Sequence, residues 1–454
     1  MPRLIFALIF CLAASLLQAQ DSDSVIIRKM ANQVLSQSRA YENLRELCKK
    51  IGPRLSGSAN AAKAVEWGKR MMQETGADTV YLQPCMVTHW QRGGKETAYA
   101  EQGSTRHDLR VCALGNSVGT GPKGINAPVI EVKNFDELQE LGTELIKGRI
   151  VFFNYPMRTD FINTFEAYGD AAKYRVLGAS RAAKFGAVGT IVRSLAINID
   201  PYPHTGVLVY NDSFPKIPAI AISTEDAEWL SSALQNKTLT AVGFTTNCRR
   251  QNDVLSYNVI GEIKGKTKPE EIITVGGHLD SWDLAEGAQD DGAGCVQSIE
   301  VLRTFTQLGI KPERTVRAVL FMNEENGGGG GRAYRDSAIA GKERQIFALE
   351  SDEGGFSPRG LAVQEPGYNK VKAWAHLFYP YGVYMINGDG GGSDIAPLAK
   401  LGTVLAGLEP DTQRYFELHH ASTDVFEAVS KRELDLGIVN MAALVWLVSK
   451  YGIN

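Results

Sequence analysis

The amino-acid sequence predicts an α/β protein with a mostly parallel sheet sandwiched by helices. After residue 256, short apolar runs alternate with helical patterns, and strands buried on both faces are typically apolar at nearly every position. The predicted strands are 259–263, 272–277, 316–322 and 347–351, with a helix at 292–308. A last helix, 433–449, is apolar nearly all round, which predicts that it lies in the core.

The N-terminal part of the chain predicts two helices and a strand. Apolar residues recur at helical spacing through 24–52, where Gly52 and Pro53 stop the pattern. A second helix is predicted for 60–75, and the alternation of side chains through 79–90 predicts a strand. We expect these elements to complete the same domain as the C-terminal part.

Residues 101–250 predict a separate, inserted domain. Their short β runs are divided by glycine and proline turns, with one helical stretch at 171–185. The expected division of the chain has four parts: a signal peptide at 1–19, N-terminal helices and a strand at 20–100, the insertion at 101–250, and the rest of the main domain at 251–454.

Composition excludes several classes of protein. The chain has 454 residues, of which 44% are apolar and 22% charged, as in ordinary soluble globular proteins. Its 48 basic and 51 acidic residues give a net charge of −3, so we expect no nucleic-acid partner. Six cysteines are too few for a disulfide framework.

The first residues predict an export signal. Arg3 precedes an apolar run at 4–17, and the sequence Gln18-Ala19-Gln20 offers a small residue for cleavage. The run is shorter than the ~20 residues that span a membrane. We therefore expect an exported protein, periplasmic or secreted, that is not membrane-bound after cleavage.

Two motifs lack the context that their chemistry needs. Gly115-Asn116-Ser117-Val118-Gly119 matches the serine-hydrolase elbow, but the glycines and proline at 119–124 cannot begin the required helix. Residues 261–267 resemble a phosphate loop but are one residue short, and a hairpin turn between strands is the better interpretation.

Four acidic, glycine-rich clusters have the context that a metal site needs, together with a fifth segment that carries two histidines. The four clusters follow the ends of predicted strands, where ligands gather in α/β sheets. Their candidate residues are His278, Asp280, Asp290, Asp291, Glu324, Glu325, Asp352, His419, His420 and Asp424. Any one cluster fits a solvated loop, but so many carboxylates at one edge would repel one another without cations. Two histidines and three carboxylates can give each of two metals three ligands, with one carboxylate shared.

These motifs resemble the two-zinc exopeptidases of the aminopeptidase/glutamate carboxypeptidase family, in particular its secreted, carboxypeptidase Q-like branch. The resemblance covers nearly all of the chain after the signal. It rests on Gly-His-Leu-Asp-Ser-Trp at 277–282, Asp-Asp-Gly-Ala-Gly at 290–294, Asn-Glu-Glu-Asn-Gly at 323–327 and Glu-Ser-Asp-Glu-Gly at 350–354. Residues 147–151 and 217–220 resemble the protease-associated domain that this branch carries.

The resemblance implies a role for each candidate. His278 and Asp352 would bind one zinc ion, and Glu325 and His420 the other. Asp290 would bridge the two ions. His420 is preferred to His419 because the family places an acid four positions after the ligand histidine, and here that acid is Asp424. Asp280 would orient His278, and Glu324 would act as the general base. His419 stands where some relatives have a substrate-binding tyrosine.

The expected activity is hydrolysis of small peptides with free ends, by two zinc ions per chain. An aminopeptidase of the same family is the alternative enzyme, because both activities use the same metal ligands. A non-catalytic binding protein on this fold is a further alternative, although none of the five ligand positions is lost. The partner expected is a small peptide, and a homodimer is one possible assembly.

Overall fold

A computed structural model describes residues 23–453. The predicted signal peptide at 1–19 lies outside these described residues. The fold of the described residues is mixed α/β around one large sheet, as predicted, with three smaller sheets formed by the middle of the chain.

The strands of the described chain are numbered in chain order. They are β1 (Thr79–Val87), β2 (Trp90–Gln91), β3 (Thr97–Gln102), β4 (Thr105–Leu109), β5 (Val111–Ala113), β6 (Ile125–Ala127), β7 (Val129–Val132), β8 (Ile150–Phe153), β9 (Gly189–Arg193), β10 (Ala219–Ile222), β11 (Ala241–Thr245), β12 (Arg249–Arg250), β13 (Val254–Ile263), β14 (Lys268–His278), β15 (Arg314–Phe321), β16 (Arg344–Glu350), β17 (Pro358–Val363), β18 (Met385–Asn387) and β19 (Val404–Pro410).

The helices are numbered in the same way. They are α1 (23–37), α2 (Ala40–Glu46), α3 (Ala59–Glu74), α4 (Phe135–Ile146), α5 (Thr164–Ala183), α6 (Thr224–Gln235), α7 (Ala293–Gln307), α8 (Gly329–Ala340), α9 (Gly367–Ala373), α10 (Ala375–Phe378) and α11 (Lys431–Tyr451). The helical pattern predicted through 24–52 is divided into α1, α2 and a further turn, Leu47–Ile51.

The large sheet has eight strands in the order β1-β13-β15-β14-β16-β19-β17-β18. Its middle, β15-β14-β16-β19, is parallel, whereas β1 and β13 extend it antiparallel on one side. Because parallel strands end at the same edge, the residues that follow β14, β15, β16 and β19 are brought together.

Both faces of this sheet are buried, as the continuous apolar runs predicted. Along β15, Val316, Ala318 and Leu320 pack into one core cluster with α7 and α11, while Val319 and Phe321 pack into another with Tyr334 of α8. Successive side chains of a strand point to opposite faces, so the second half of β15, residues 318–321, is apolar at every position. Arg317 in the middle of the strand is buried with its charge paired to Glu262 and Glu343. Helix α11 is long and apolar enough to cross a membrane. However, 78% of its most apolar 18-residue stretch is buried inside the protein, as expected of a core helix.

The middle of the chain leaves the large sheet after β1 and returns at β13. We call residues 88–253 the inserted segment. Its two ends pair as β2 and β12, and within it β5-β10-β9-β8-β7 form a five-stranded sheet and β4-β3-β11-β6 an antiparallel one. The boundaries expected at residues 100 and 250 fall inside β3 and β12.

The hairpin predicted at 261–267 is wrong. The segment does join two strands, β13 and β14, but β15 lies between them in the sheet. The connection therefore crosses over a neighbour. The sequence could not show this, because the strand that separates them comes about fifty residues later in the chain.

The five described cysteines are all buried and none forms a disulfide bond. Burial raises the pKa of Cys48, Cys85 and Cys112 to about 12, and that of Cys248 to about 11. Cys295 lies in α7, where its thiol contacts the carbonyl oxygen of His278 at 3.0 Å. These thiols therefore behave as small apolar core groups.

Close packing between α7 and the end of β16 generates a test of the fold. A Cβ atom on Gly294 would lie 1.9 Å from the carbonyl oxygen of Ser351. We expect Gly294→Ala to lower the free energy of unfolding by about 3 kcal/mol, because the helix must move away from the strand end. Urea denaturation measures this change.

The control is Gly169→Ala, at an exposed position of α5, where nothing lies within 4 Å of the added methyl group. Alanine favours a helix over glycine by about 1 kcal/mol, so this variant should gain stability. Equal effects at both positions would contradict the packing argument.

Candidate active site

The five predicted metal ligands meet at the edge where the parallel strands end. His278 is the last residue of β14, Glu325 follows β15, and Asp352 follows β16. Asp290 lies in the turn Ala288–Gly292 before α7, and His420 lies in the loop after β19. The structure therefore brings together residues that are up to 142 positions apart (420 − 278 = 142).

His278 is the centre of one group of side chains. Its Nε2 atom lies 3.1 Å from Oδ1 of Asp290 and 3.2 Å from Oδ1 of Asp352. His278 is 1% exposed, and the Asp352 side chain is 23% exposed. Atoms of these three residues lie close enough together to hold one metal ion.

His420 is the centre of the second group. Its Nε2 atom lies 3.2 Å from Oε2 of Glu325 and 3.3 Å from Oδ2 of Asp290. The other oxygen of Glu325, Oε1, accepts a hydrogen bond of 3.0 Å from the main-chain N–H of Trp282. Asp290 thus contacts both histidines, one with each carboxylate oxygen.

The hydrogen bonds of the two imidazoles fix where their free nitrogens point. Nδ1 of His278 lies 2.9 Å from the carbonyl oxygen of Asp280, and Nδ1 of His420 lies 3.3 Å from that of Thr205. A carbonyl oxygen only accepts, so each Nδ1 carries a proton. Each Nε2 then faces carboxylate oxygens, which requires either a second proton or a cation between them.

The charges of these buried groups are strongly coupled. Burial, together with the charge of Asp290, raises the pKa of Glu325 to about 8. Burial lowers the pKa of His420, but the carboxylates of Glu325 and Asp290 outweigh it and raise that pKa to about 10. In the described structure the ion-pair partners of both residues lie within the same group of side chains.

Asp280 does not orient His278 in the way that the sequence led us to expect. The main-chain carbonyl of Asp280, not its carboxylate, contacts His278. The carboxylate Oδ1 instead accepts hydrogen bonds from the main-chain N–H groups of Asn323 and Glu324, at 2.6 and 3.1 Å. Asp280 therefore links the ends of β14 and β15.

Two further acids hold the main chain of the ligand-bearing loops. Asp424 accepts hydrogen bonds from the N–H groups of Gln289 and Asp290, at 2.7 and 3.1 Å. Asp291 accepts from the N–H groups of His278 and Gly294, both at 2.9 Å. Neither carboxylate is among the side chains that contact His278 Nε2 or His420 Nε2.

Glu324 is half-buried at the mouth of the site. Its main-chain N–H is held by Asp280, and its side chain makes no hydrogen bond or ion pair to residues 23–453. Its charge, after burial, contributes to raising the pKa of Asp280 and of Asp352, each to about 6. The charge of Glu324 therefore acts on Asp280 and Asp352, while Glu325 contacts His420.

The rings of His419 and His420 stack, with centroids 3.5 Å apart. In an extended loop two neighbouring side chains would point to opposite sides, but His420 adopts a left-handed backbone conformation with φ of 64°, and the two rings lie together. His419 Nε2 lies 3.9 Å from Oδ2 of Asp290, and no contact joins it to Glu325. His419 is 7% exposed, and its Nδ1 has no partner in the described structure.

Sequence reasoning missed Asp394, a buried acid beside the site. It is 1% exposed, and neither carboxylate oxygen has a hydrogen-bond partner among the described residues. Burial, then the charges of Glu350 and Glu324, raises its pKa well above the usual range. The glycine run before it, at 390–392, resembles the glycine-rich clusters of the other site residues and was the available signal.

Ser117 lies in the protein interior and is not part of a serine-hydrolase elbow, as the sequence around it predicted. It is fully buried, and its hydroxyl donates to the carbonyl oxygen of Val118 and accepts from the N–H of Ala219, both at 2.9 Å. β6 follows it in the chain rather than a helix.

Comparisons with known proteins agree with this architecture. The model of the family described as "Peptidase family M28" matches residues 258–445. Carboxypeptidase Q of Mus musculus is 36% identical over 419 residues, which cover 91% of this chain and 85% of the relative. The crystal structure of a peptidase M28 precursor from Shewanella amazonensis is 32% identical, with a TM-score of 0.90, and the match covers 95% of this chain and 97% of that chain.

A zinc aminopeptidase from Bacillus subtilis has the same fold, with a TM-score of 0.64 at 22% identity over 89% of this chain and 93% of that chain. Identity above 30% extends over most of this chain and most of its carboxypeptidase Q relative, and the family match spans every predicted metal ligand. The chain therefore belongs to peptidase family M28.

Proposed function

We propose that this metallo-exopeptidase hydrolyses small peptides with free ends, as a dipeptidase or carboxypeptidase with two zinc ions per chain. The observation that carries the proposal is the position of Asp290, whose two oxygens lie 3.1 Å from His278 and 3.3 Å from His420. A carboxylate shared in this way suits a ligand that bridges two cations. The names of its relatives, carboxypeptidase Q and a zinc aminopeptidase, support the activity and the metal.

The residues present fit zinc. His278 and Asp352 would hold one ion, Glu325 and His420 the other, and Asp290 both. Imidazole nitrogen and carboxylate oxygen are ligands that zinc accepts. Oδ2 of Asp290 is buried without a hydrogen-bond partner in the described structure, as a ligand atom awaiting a cation would be. Both imidazoles direct Nε2 toward carboxylate oxygens, and a cation between them would neutralise the carboxylate charge.

Glu324 is the general base in this proposal. When bound, the zinc ions supply Lewis acidity, which activates water and polarises the scissile carbonyl group. Glu324 accepts the proton of the attacking water and later delivers it to the leaving amine. Its carboxylate is half-buried and free of close partners among residues 23–453, while Asp280 fixes its main chain. The proton acceptor is therefore held in place by its main chain, while its carboxylate has no ion-pair partner among these residues.

Asp280 and His419 have supporting roles. Asp280 is a positioning residue: its carbonyl orients His278 and its carboxylate holds the N–H of Glu324. His419 contacts the substrate in this proposal. Its unpartnered Nδ1 and its stacking against His420 support a polar group that is held close to the reacting bond.

The inserted segment would form one wall of the substrate cleft, as a domain of the protease-associated type. A cavity of about 420 Å³ lies between its residues Ile162 and Phe165 and the main domain's Glu353 and Glu409. Glu353 directly follows the proposed ligand Asp352 in the chain, although none of the five proposed ligands is among the residues that line this cavity. A wall at that place would exclude long polypeptides and admit short peptides.

We further propose that the protein is exported and acts in a periplasm or outside the cell. The support is the signal-like sequence at 1–19. Neither a nucleic acid nor a membrane is part of the proposal, and a homodimer is the assembly to look for.

Two alternatives remain to be separated by experiment. An aminopeptidase would use the same metal ligands, and one relative by fold carries that name. A non-catalytic binding protein would be expected to have lost ligands, whereas all five are present and in contact.

The first prediction separates the two adjacent histidines. His420→Ala should remove one zinc equivalent, since only His420 contacts both Asp290 and Glu325. His419→Ala should keep two zinc equivalents and mainly lower kcat. Elemental analysis of chelator-free protein, beside kcat, measures both effects. Loss of metal from the His419 variant alone would reverse the assignment, and one zinc in fully active wild-type protein would remove the bridging role of Asp290.

The second prediction separates the two adjacent glutamates. Glu324→Gln keeps the shape of the side chain but cannot accept a proton, so kcat should fall roughly 10²–10⁴-fold while both zinc ions stay bound. Glu325→Gln should weaken one zinc ion, and added zinc should partly restore its activity. Metal content and kcat of the two variants decide between the roles, which must be exchanged if zinc rescues Glu324→Gln instead.

The third prediction concerns the ends of the substrate. One dipeptide is compared in three forms: unblocked, N-acetylated and C-amidated. Removing a recognised terminal charge costs a charged hydrogen bond, about 1.5–3 kcal/mol, or roughly 10–150-fold in kcat/KM. We expect amidation of the C-terminus to cause this loss. An aminopeptidase would tolerate amidation and lose activity on acetylation, and a binding protein would hydrolyse none of the three.

A further inference from the structure

Two consecutive residues of the inserted segment contact the loop that carries His420. Nδ1 of His204 lies 2.7 Å from the carbonyl oxygen of His419, and the N–H of Thr205 donates to the carbonyl oxygen of His420 at 3.0 Å. The Nδ1 of His420 in turn lies 3.3 Å from the carbonyl oxygen of Thr205. Three contacts therefore join the inserted segment to a single ligand-bearing turn.

We propose that His204 is a positioning residue for the metal ligand His420, and that the inserted segment thereby forms part of the metal centre. The proposal rests on the proposed function, in which His420 binds zinc. His204 itself touches neither the expected metal nor the substrate, since its contacts are with the carbonyl oxygen of His419 and, through its main-chain N–H, with Ser194.

The conformation of His420 explains why its loop needs an external hold. Its φ of 64° lies in the left-handed region, which side chains with a Cβ atom rarely adopt. The carbonyl groups of His419 and His420, which lie on either side of the α-carbon of His420, are each held by one donor of the inserted segment. Hydrogen bonds that fix a metal-binding histidine in this way commonly tune its affinity for the metal.

The positioning residues are anchored to the five-stranded sheet of the inserted segment. The main-chain N–H of His204 donates to Oγ of Ser194 at 2.8 Å, and that hydroxyl donates to the carbonyl oxygen of Ile222, the last residue of β10. The hydroxyl of Thr205 donates to the carbonyl oxygen of Ala113, the last residue of β5. The position of His420 therefore depends on a sheet outside the main domain.

His204 contributes a single side-chain hydrogen-bond donor to the loop that carries His420. The carbonyl oxygen of His419 can only accept, so Nδ1 of His204 carries the proton. The other ring nitrogen, Nε2, has no hydrogen-bond partner in the described structure. An asparagine can place an N–H group close to the position of Nδ1, whereas a glutamine places its amide near the position of Nε2.

This difference gives a matched pair of variants, His204→Asn and His204→Gln. The control is His107→Gln, also in the inserted segment, whose ring stacks on Trp229 at 3.7 Å. Zinc release to an excess of chelator is followed for the wild type and the three variants. We expect His204→Gln to release one zinc equivalent roughly 10–100-fold faster, with His204→Asn and His107→Gln close to the wild type.

Hydrogen exchange of residues 415–424 in the metal-free proteins gives a second measurement that needs no zinc. Exchange should be faster in His204→Gln than in His204→Asn. Equal exchange and equal zinc release in these two variants would overturn the proposal, as would a lower melting temperature of His204→Gln without either change. The zinc content of the wild type tests the proposed function separately, because the hydrogen-exchange comparison uses metal-free proteins and does not depend on that content.

Discussion

Negative charge collected at one edge of the large sheet is the constraint on which the rest of the molecule depends. The carboxylates of Asp290, Glu325 and Asp352 lie within 3.3 Å of two imidazoles, in a region that excludes most solvent. Burial opposes ionisation, and it raises the pKa of Glu325 and of Asp352. Keeping these acids ionised requires cations among them, so metal binding and the order of this edge are thermodynamically linked.

A second set of acids holds the loops around the site in place. Asp280, Asp291 and Asp424 each accept hydrogen bonds from two main-chain N–H groups of the loops at the site. Each of these bonds joins segments that are distant in sequence or that turn sharply. The loops are therefore fixed to one another by carboxylates, and the strand ends are not left as free turns.

Local residue patterns in the sequence were enough to predict the strands and the residues that follow their ends. The apolar runs of β14, β15 and β16 predicted where these strands end, and the parallel arrangement then predicted that His278, Glu325 and Asp352 would meet. The chain order of the strands does not determine their spatial order, which is why the connection at 261–267 was interpreted as a hairpin. The φ of His420 and the burial of Asp394 arise from tertiary packing, and no residue spacing encodes either.

Contacts between the inserted segment and the main domain were also beyond sequence analysis. His204 lies 215 positions from the carbonyl oxygen that it holds, and neither residue belongs to a recognisable motif with the other. A division of the chain into a main domain and an inserted segment follows the arrangement of the strands in separate sheets. It does not describe the site, because one ligand-bearing loop is held from both sides.

The state of the cysteines has a consequence for the conditions that the protein tolerates. All five described thiols are buried, unpaired and held with pKa values well above neutral, so the reactive thiolate form is scarce. The described fold therefore does not depend on an oxidising compartment for covalent cross-links. Reducing agents break no bond in it, and electrophiles that modify thiols meet no accessible nucleophile.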